Sequence, residues 1–171
     1  MRRSALIAAA AMAAAATILW ALLGRPTSAH PQTVDFRANL ESFQEVPSLS
    51  TTGTGTFRVK LVDDDTLHYE LSYSGLEGGA VRFAHIHLGQ PGVNGGVIAF
   101  LCGGDGKPDC PASGTVSGTI TADNVVGPAG QGIAPGEFDE MVRAMRAGTT
   151  YVNVHTQSYP GGEIRGQINA R

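Results

Sequence analysis

From Thr33 onward apolar and polar residues alternate with a period of two. Val34, Phe36, Ala38 and Leu40 alternate with Asp35, Arg37, Asn39 and Glu41. Phe57, Val59 and Leu61 alternate with Arg58 and Lys60, and Leu67, Tyr69, Leu71 and Tyr73 with His68, Glu70 and Ser72. Successive side chains of a strand point to opposite faces, so this pattern predicts half-buried antiparallel strands, apolar inward and polar outward. Further strands are expected at 83–89, at 114–121 around Val116 and Ile120, at 151–156, and at 163–169 with Ile164 and Ile168 inward. Asp63-Asp64-Asp65, Ser74-Gly75, Glu77-Gly78-Gly79 and the segment 89–96 supply the turns.

One segment departs from this period. Phe138, Met141, Val142 and Met145 are spaced i, i+3, i+4, i+7, which predicts a helix near residues 137–147. Acidic Glu137, Asp139 and Glu140 load its first turn and Arg143 and Arg146 its last, as the helix dipole favours. Gly148 follows where a left-handed residue can end it. One short helix among about eight strands predicts an all-β fold, an antiparallel Greek-key β-sandwich with the helix as cap or crossover.

The first residues carry a different signal. Arg2-Arg3, an alanine-rich apolar run and Thr27-Ser28-Ala29 describe a secretory signal peptide over 1–29, with His30 as the mature N-terminus and residues 30–171 as one domain. An uncleaved anchor is the alternative, because about 20 apolar residues can cross a bilayer; only in that case is a membrane a partner. Removing 1–29 leaves nine basic residues against fifteen acidic ones, a formal charge of −6, without a basic cluster. Nucleic acid is excluded as a principal partner. The expected location is exported, periplasmic or extracellular. There the closely spaced pair Cys102 and Cys110 reads as a disulfide stapling a loop rather than as thiolate ligands.

The candidate chemistry lies in histidines. In Phe83-Ala84-His85-Ile86-His87-Leu88-Gly89, His85 and His87 share one strand face while Ala84, Ile86 and Leu88 share the other. In Tyr151-Val152-Asn153-Val154-His155-Thr156, His155 falls on the polar face with Tyr151 and Asn153. All three histidines are thereby expected on the side away from the core. Same-face neighbours on a strand are roughly 6.5–7 Å apart at Cα, close enough for imidazoles to converge on Cu, Zn or Ni. Asn153, Glu163, Gln167 and Arg165 are candidates to stand behind the rings and fix their tautomers. The competing expectation is a polar network in which the histidines bond to Glu163, Asn153 and loop carbonyls and order the glycine-rich loop. Glu163 and Arg165 share a face and are expected to pair with each other or with Asp35 or Glu45. His30 could chelate copper with its own amine, and His68 reads as a solvated residue. No serine sits in a nucleophile elbow, and the glycines at 92, 95 and 96 open no helix, so neither nucleophilic catalysis nor phosphate binding is supported. Gly-Val-Asn-Gly-Gly at 92–96 instead predicts a tight turn with positive φ.

Several ordered motifs resemble the CHRD domain, named from chordin and found in exported bacterial proteins. They are Gln44-Glu45-Val46-Pro47, Leu67-His68-Tyr69-Glu70-Leu71, Ala84-His85-Ile86-His87-Leu88-Gly89, Tyr151-Val152-Asn153-Val154-His155-Thr156, and Tyr159-Pro160-Gly161-Gly162-Glu163-Ile164-Arg165-Gly166-Gln167. This resemblance implies a non-enzymatic binding or structural module for an undefined protein or small ligand. A second similarity is to copper/zinc superoxide dismutases, where a His-x-His strand and a later Val-His strand supply copper ligands. It implies a copper site at His85, His87 and His155, with Arg165 resembling the arginine of the closing segment. The stretch 89–110 holds no histidine to bridge a second metal, and no cysteine stands near the C-terminus, so dismutase chemistry is not implied.

Overall fold

The computed structural model describes residues 34–171; the signal segment 1–29 and His30 lie outside the described residues. Nine strands follow: β1 Asp35–Glu41, β2 Thr54–Asp63, β3 Thr66–Ser74, β4 Val81–Leu88, β5 Val97–Cys102, β6 Gly114–Ile120, β7 Thr150–Thr156, β8 Ile164–Gln167 and β9 Asn169–Ala170. The helix α1, Phe138–Arg146, precedes β7. Every pairing is antiparallel. The strands form one hydrogen-bonded path, β5-β4-β7-β8-β1-β2-β3-β6, with β9 on β1. The connections β3 to β4, β5 to β6 and β6 to β7 cross between strands that are not neighbours.

The path curls until its two end strands, β5 and β6, approach each other without pairing, giving an all-β, nearly closed, barrel-like sandwich. The phenol of Tyr69 on β3 donates to the Leu101 carbonyl on β5 across the interior, at 2.7 Å. The predicted inward residues Phe36, Phe57, Leu71, Ile86, Val152 and Ile164 are all inaccessible to solvent, and so are Ile98 and Leu101 of β5, a strand that the alternation does not reveal. Burial of each such side chain contributes roughly 1.5–3 kcal/mol. The helical stripe Phe138, Met141, Val142 and Met145 is buried as its spacing predicts, and Gly148 follows the helix at φ 67°.

Cys102 and Cys110 form the expected disulfide. It ties the end of β5 to the loop that leads into β6. The same loop places Lys107 Nζ 2.7 Å from the Thr119 carbonyl of β6 and offers the Pro111 carbonyl to the Tyr73 phenol at 2.7 Å.

Two expectations are corrected. The polar faces of β4, β7 and β8 do not look into solvent: His85, His87, Asn153, His155, Glu163 and Arg165 are all buried. Strand alternation sets which face a residue takes, but loops from elsewhere in the chain cover this one. The closing strand is also not continuous over 163–169. β8 pairs with β7 from Ile164 to Gln167, then the chain turns at Ile168 so that Asn169 and Ala170 pair with β1.

Candidate metal centre

Strand register builds the site. His85 lies opposite Phe100 of β5 and Asn153 of β7, Asn153 lies opposite Arg165 of β8, and Arg165 lies opposite Glu41 of β1. In the neighbouring rows His87 faces Tyr151 and Phe83 faces His155. One covered face therefore gathers three histidines, an amide, a guanidinium and three aromatic rings.

His87 donates its Nδ1–H to the Gly95 carbonyl at 3.0 Å, and His155 donates its Nδ1–H to the Pro160 carbonyl at 2.9 Å. A carbonyl only accepts, so these bonds fix both tautomers and leave each Nε2 as a lone pair. Both lone pairs point at the same atom. His85 Nδ1 stands 3.0 Å from His155 Nε2 and 3.3 Å from His87 Nε2. The three candidate ligand atoms lie within 4.8 Å of one another. Bonds of 2.0–2.1 Å to a central ion would set nitrogens about 3.3–3.6 Å apart at tetrahedral to trigonal angles.

Burial keeps these rings neutral. Desolvation, then the neighbouring His155 and His87, push His85 down to about 3. Desolvation likewise takes His87 down to about 4 against the bond to Gly95, and lowers His155.

The candidates behind the rings take different places. Asn153 reaches His155 Nε2 with its Oδ1 at 2.9 Å, its amide nitrogen turned toward Glu45. Two acceptors face each other there. Glu163 touches no histidine: its carboxylate accepts from the Glu77 N–H at 2.6 Å, the Gly78 N–H at 3.0 Å and the Thr156 hydroxyl at 2.7 Å. Arg165 donates to Asn94 Oδ1 and to the Gln90 and Val93 carbonyls, which pins the loop 89–96, and its guanidinium lies 3.4 Å over the Tyr151 ring. Gln167 bonds to the Gly89 and Gly148 carbonyls. His68 is exposed on β3, away from the cluster.

Sequence reasoning missed the shell. Phe83 stacks on His85 at 5.7 Å between centroids, Phe100 meets it edge-on at 4.4 Å, and Tyr151 stacks on His87 at 4.8 Å. Glu45, which the sequence did offer as a partner for Arg165, is buried beside Arg165 and Asn153; one carboxyl oxygen lacks a partner, and burial pushes its pKa up to about 7. Its burial was not expected, and its place in the Gln44-Glu45-Val46-Pro47 motif was the available signal. The expected glycine turn with positive φ is present, closed by the Val93 N–H on the Gln90 carbonyl at 3.1 Å. Gly92 has φ 76°, but Gly95 is required for space, because a Cβ there would collide with the Leu88 carbonyl.

A pocket of about 320 Å³ lined by Arg82, Phe83, His155, Thr156, Gln157 and Pro160 reaches the cluster from outside. Among the described residues, no helix is long and apolar enough to cross a membrane. The family model described as the CHRD domain matches residues 36–168. No curated protein matches the chain.

Proposed function

Because the chain belongs to the CHRD domain family, we propose that it is an exported, non-enzymatic CHRD module that binds copper through His85, His87 and His155. The observation that carries the reading is the lone-pair count. His87 Nε2 and His155 Nε2 both aim at His85 Nδ1, which can hold one proton at most, and Asn153 Oδ1 adds a further acceptor. Hydrogen bonding among the rings cannot satisfy this set, whereas a cation can. Neutral imidazoles suit copper, which stands at the top of the divalent affinity order. Among the described residues the cluster contains only histidines, so it offers one ion site and no second. Export is supported by the N-terminal pattern and by a disulfide with no free cysteine beside it.

The test is titration of the mature protein with Cu(I), Cu(II) and Zn(II), alongside His85→Ala/His87→Ala. One equivalent of copper bound tightly by the wild type and lost in the double variant is the expected result. Absence of binding tighter than micromolar, with the variant merely less stable, would sink the copper reading. That outcome would favour the histidines as a structural network, for which the bond from His87 to Gly95 and the Arg165 bonds to the same loop already speak.

A further inference from the structure

We propose that the cluster is a site for cuprous rather than cupric copper, an inference that rests on the copper reading above. The donor set is uncharged. Among the described residues no carboxylate joins the three histidines, and both cysteines are consumed in the disulfide. A bound ion therefore keeps its whole charge. His85, His87 and His155 are only 6–7% exposed. The desolvation cost of a charge grows with its square, so a dication pays about four times the penalty of a monocation in the same place.

A fixed cation whose charge bears on His87 opposes a dication as well. Arg165 sits over Tyr151, and Tyr151 stacks on His87. Glu163 is committed to Glu77, Gly78 and Thr156. Glu45 faces Arg165 and Asn153 rather than the ring nitrogens. The coordination number points the same way. Three nitrogens complete a trigonal site, whereas Cu(II) prefers a tetragonal set with more donors. Phe83 and Phe100 pack on His85 and supply none, and the Tyr151 hydroxyl accepts the Gly95 N–H at 3.2 Å. The Asn153 oxygen is the near additional donor, and it is neutral. The pocket beside His155, with Arg82 and Phe83 at its wall, provides the route by which the ion is exchanged.

The deciding measurement uses the mature protein and copper alone. Cu(I) affinity is read anaerobically against a chromogenic cuprous chelator, and Cu(II) affinity against a cupric chelator. Cu(I) is expected to bind on the order of 1,000-fold more tightly than Cu(II), an upward shift of roughly 180 mV from the unbound couple at 59 mV per tenfold. His85→Ala/His87→Ala is expected to lose both affinities. Histidine-dependent binding with Cu(II) equal to or tighter than Cu(I) overturns the cuprous assignment and leaves the copper reading standing. Failure to bind either ion overturns both.

Discussion

His87 lies flat against Tyr151, with 4.8 Å between ring centroids and 6° between their planes. The same phenol takes a hydrogen bond from the Gly95 N–H, and the Gly95 carbonyl takes one from His87. The ring thus holds the histidine twice, once by contact and once through the loop. Tyr151→Phe should keep the stack and lose the hydroxyl, costing about 1–3 kcal/mol for an orphaned N–H. Tyr151→Ala removes the stack and the seat of Arg165 as well and should cost about 3–5 kcal/mol. Urea denaturation of the two variants separates these values, and equal losses would contradict the double role.

Gly95 offers a more local test. A methyl group there meets the Leu88 carbonyl, so the backbone has to move and carries the His87 acceptor with it. Gly95→Ala is expected to destabilise by about 1–3 kcal/mol, the range for overpacking a filled space. It should also weaken copper binding. Gly92→Ala serves as the comparison, since nothing surrounds Gly92 within 4 Å and only its positive φ is offended. Its copper affinity should stay that of the wild type.

The metal-free protein should lose stability in acid. In the unfolded chain histidine takes up its proton near pH 6.5, but the folded protein resists until about pH 3 for His85 and about 4 for His87, with His155 also lowered. Stability is therefore complete above about pH 6.5 and falls toward pH 4, by up to about 1.4 kcal/mol per pH unit for each histidine. Glu45 has the opposite sign. Its carboxyl is raised to about 7, so its contribution is complete below about 4.5 and is lost as pH rises through 7. Glu45→Gln should thus gain stability relative to wild type between pH 4.5 and pH 8, while His85→Ala/His87→Ala should flatten the acid limb. Thermal melts across that range report both slopes.

Removing the staple should be felt globally. Replacing Cys102 and Cys110 with serine frees a short loop in the unfolded chain and should lower stability by roughly 2–3 kcal/mol. Reduction of the wild type followed by the same denaturation gives an independent value, and the two should agree.

Most strands, the helix and the disulfide were legible because their causes are local; β5 was not, since Val97-Ile98-Ala99-Phe100-Leu101 is apolar throughout and shows no alternation. Alternation at Phe57-Val59 or Leu67-Tyr69-Leu71 needs no knowledge of the partner strand, and the stripe from Phe138 to Met145 needs only helical spacing. The sharing of a face by His85, His87 and His155 was legible for the same reason. Burial of that face was not, because it depends on where the loops 89–96 and 160–162 come to rest. Glu163 shows the limit well. Its face was evident, yet its hydrogen bonds go to Glu77 and Gly78, 86 and 85 residues away in sequence. The tautomers were hidden too, since the Gly95 and Pro160 carbonyls that set them are backbone atoms with no side-chain signature.

The disulfide loop has a consequence for solubility. β5 and β6 end the hydrogen-bonded path, and unpaired strand edges are templates for self-association. The bond between Cys102 and Cys110, with Lys107 reaching Thr119, keeps a turn lodged between those two edges. A reductant would release that plug before it disturbed the core. The thiol balance of its surroundings is thus expected to tune self-association, with light scattering of the folded protein rising on addition of a reductant as the two edges come free.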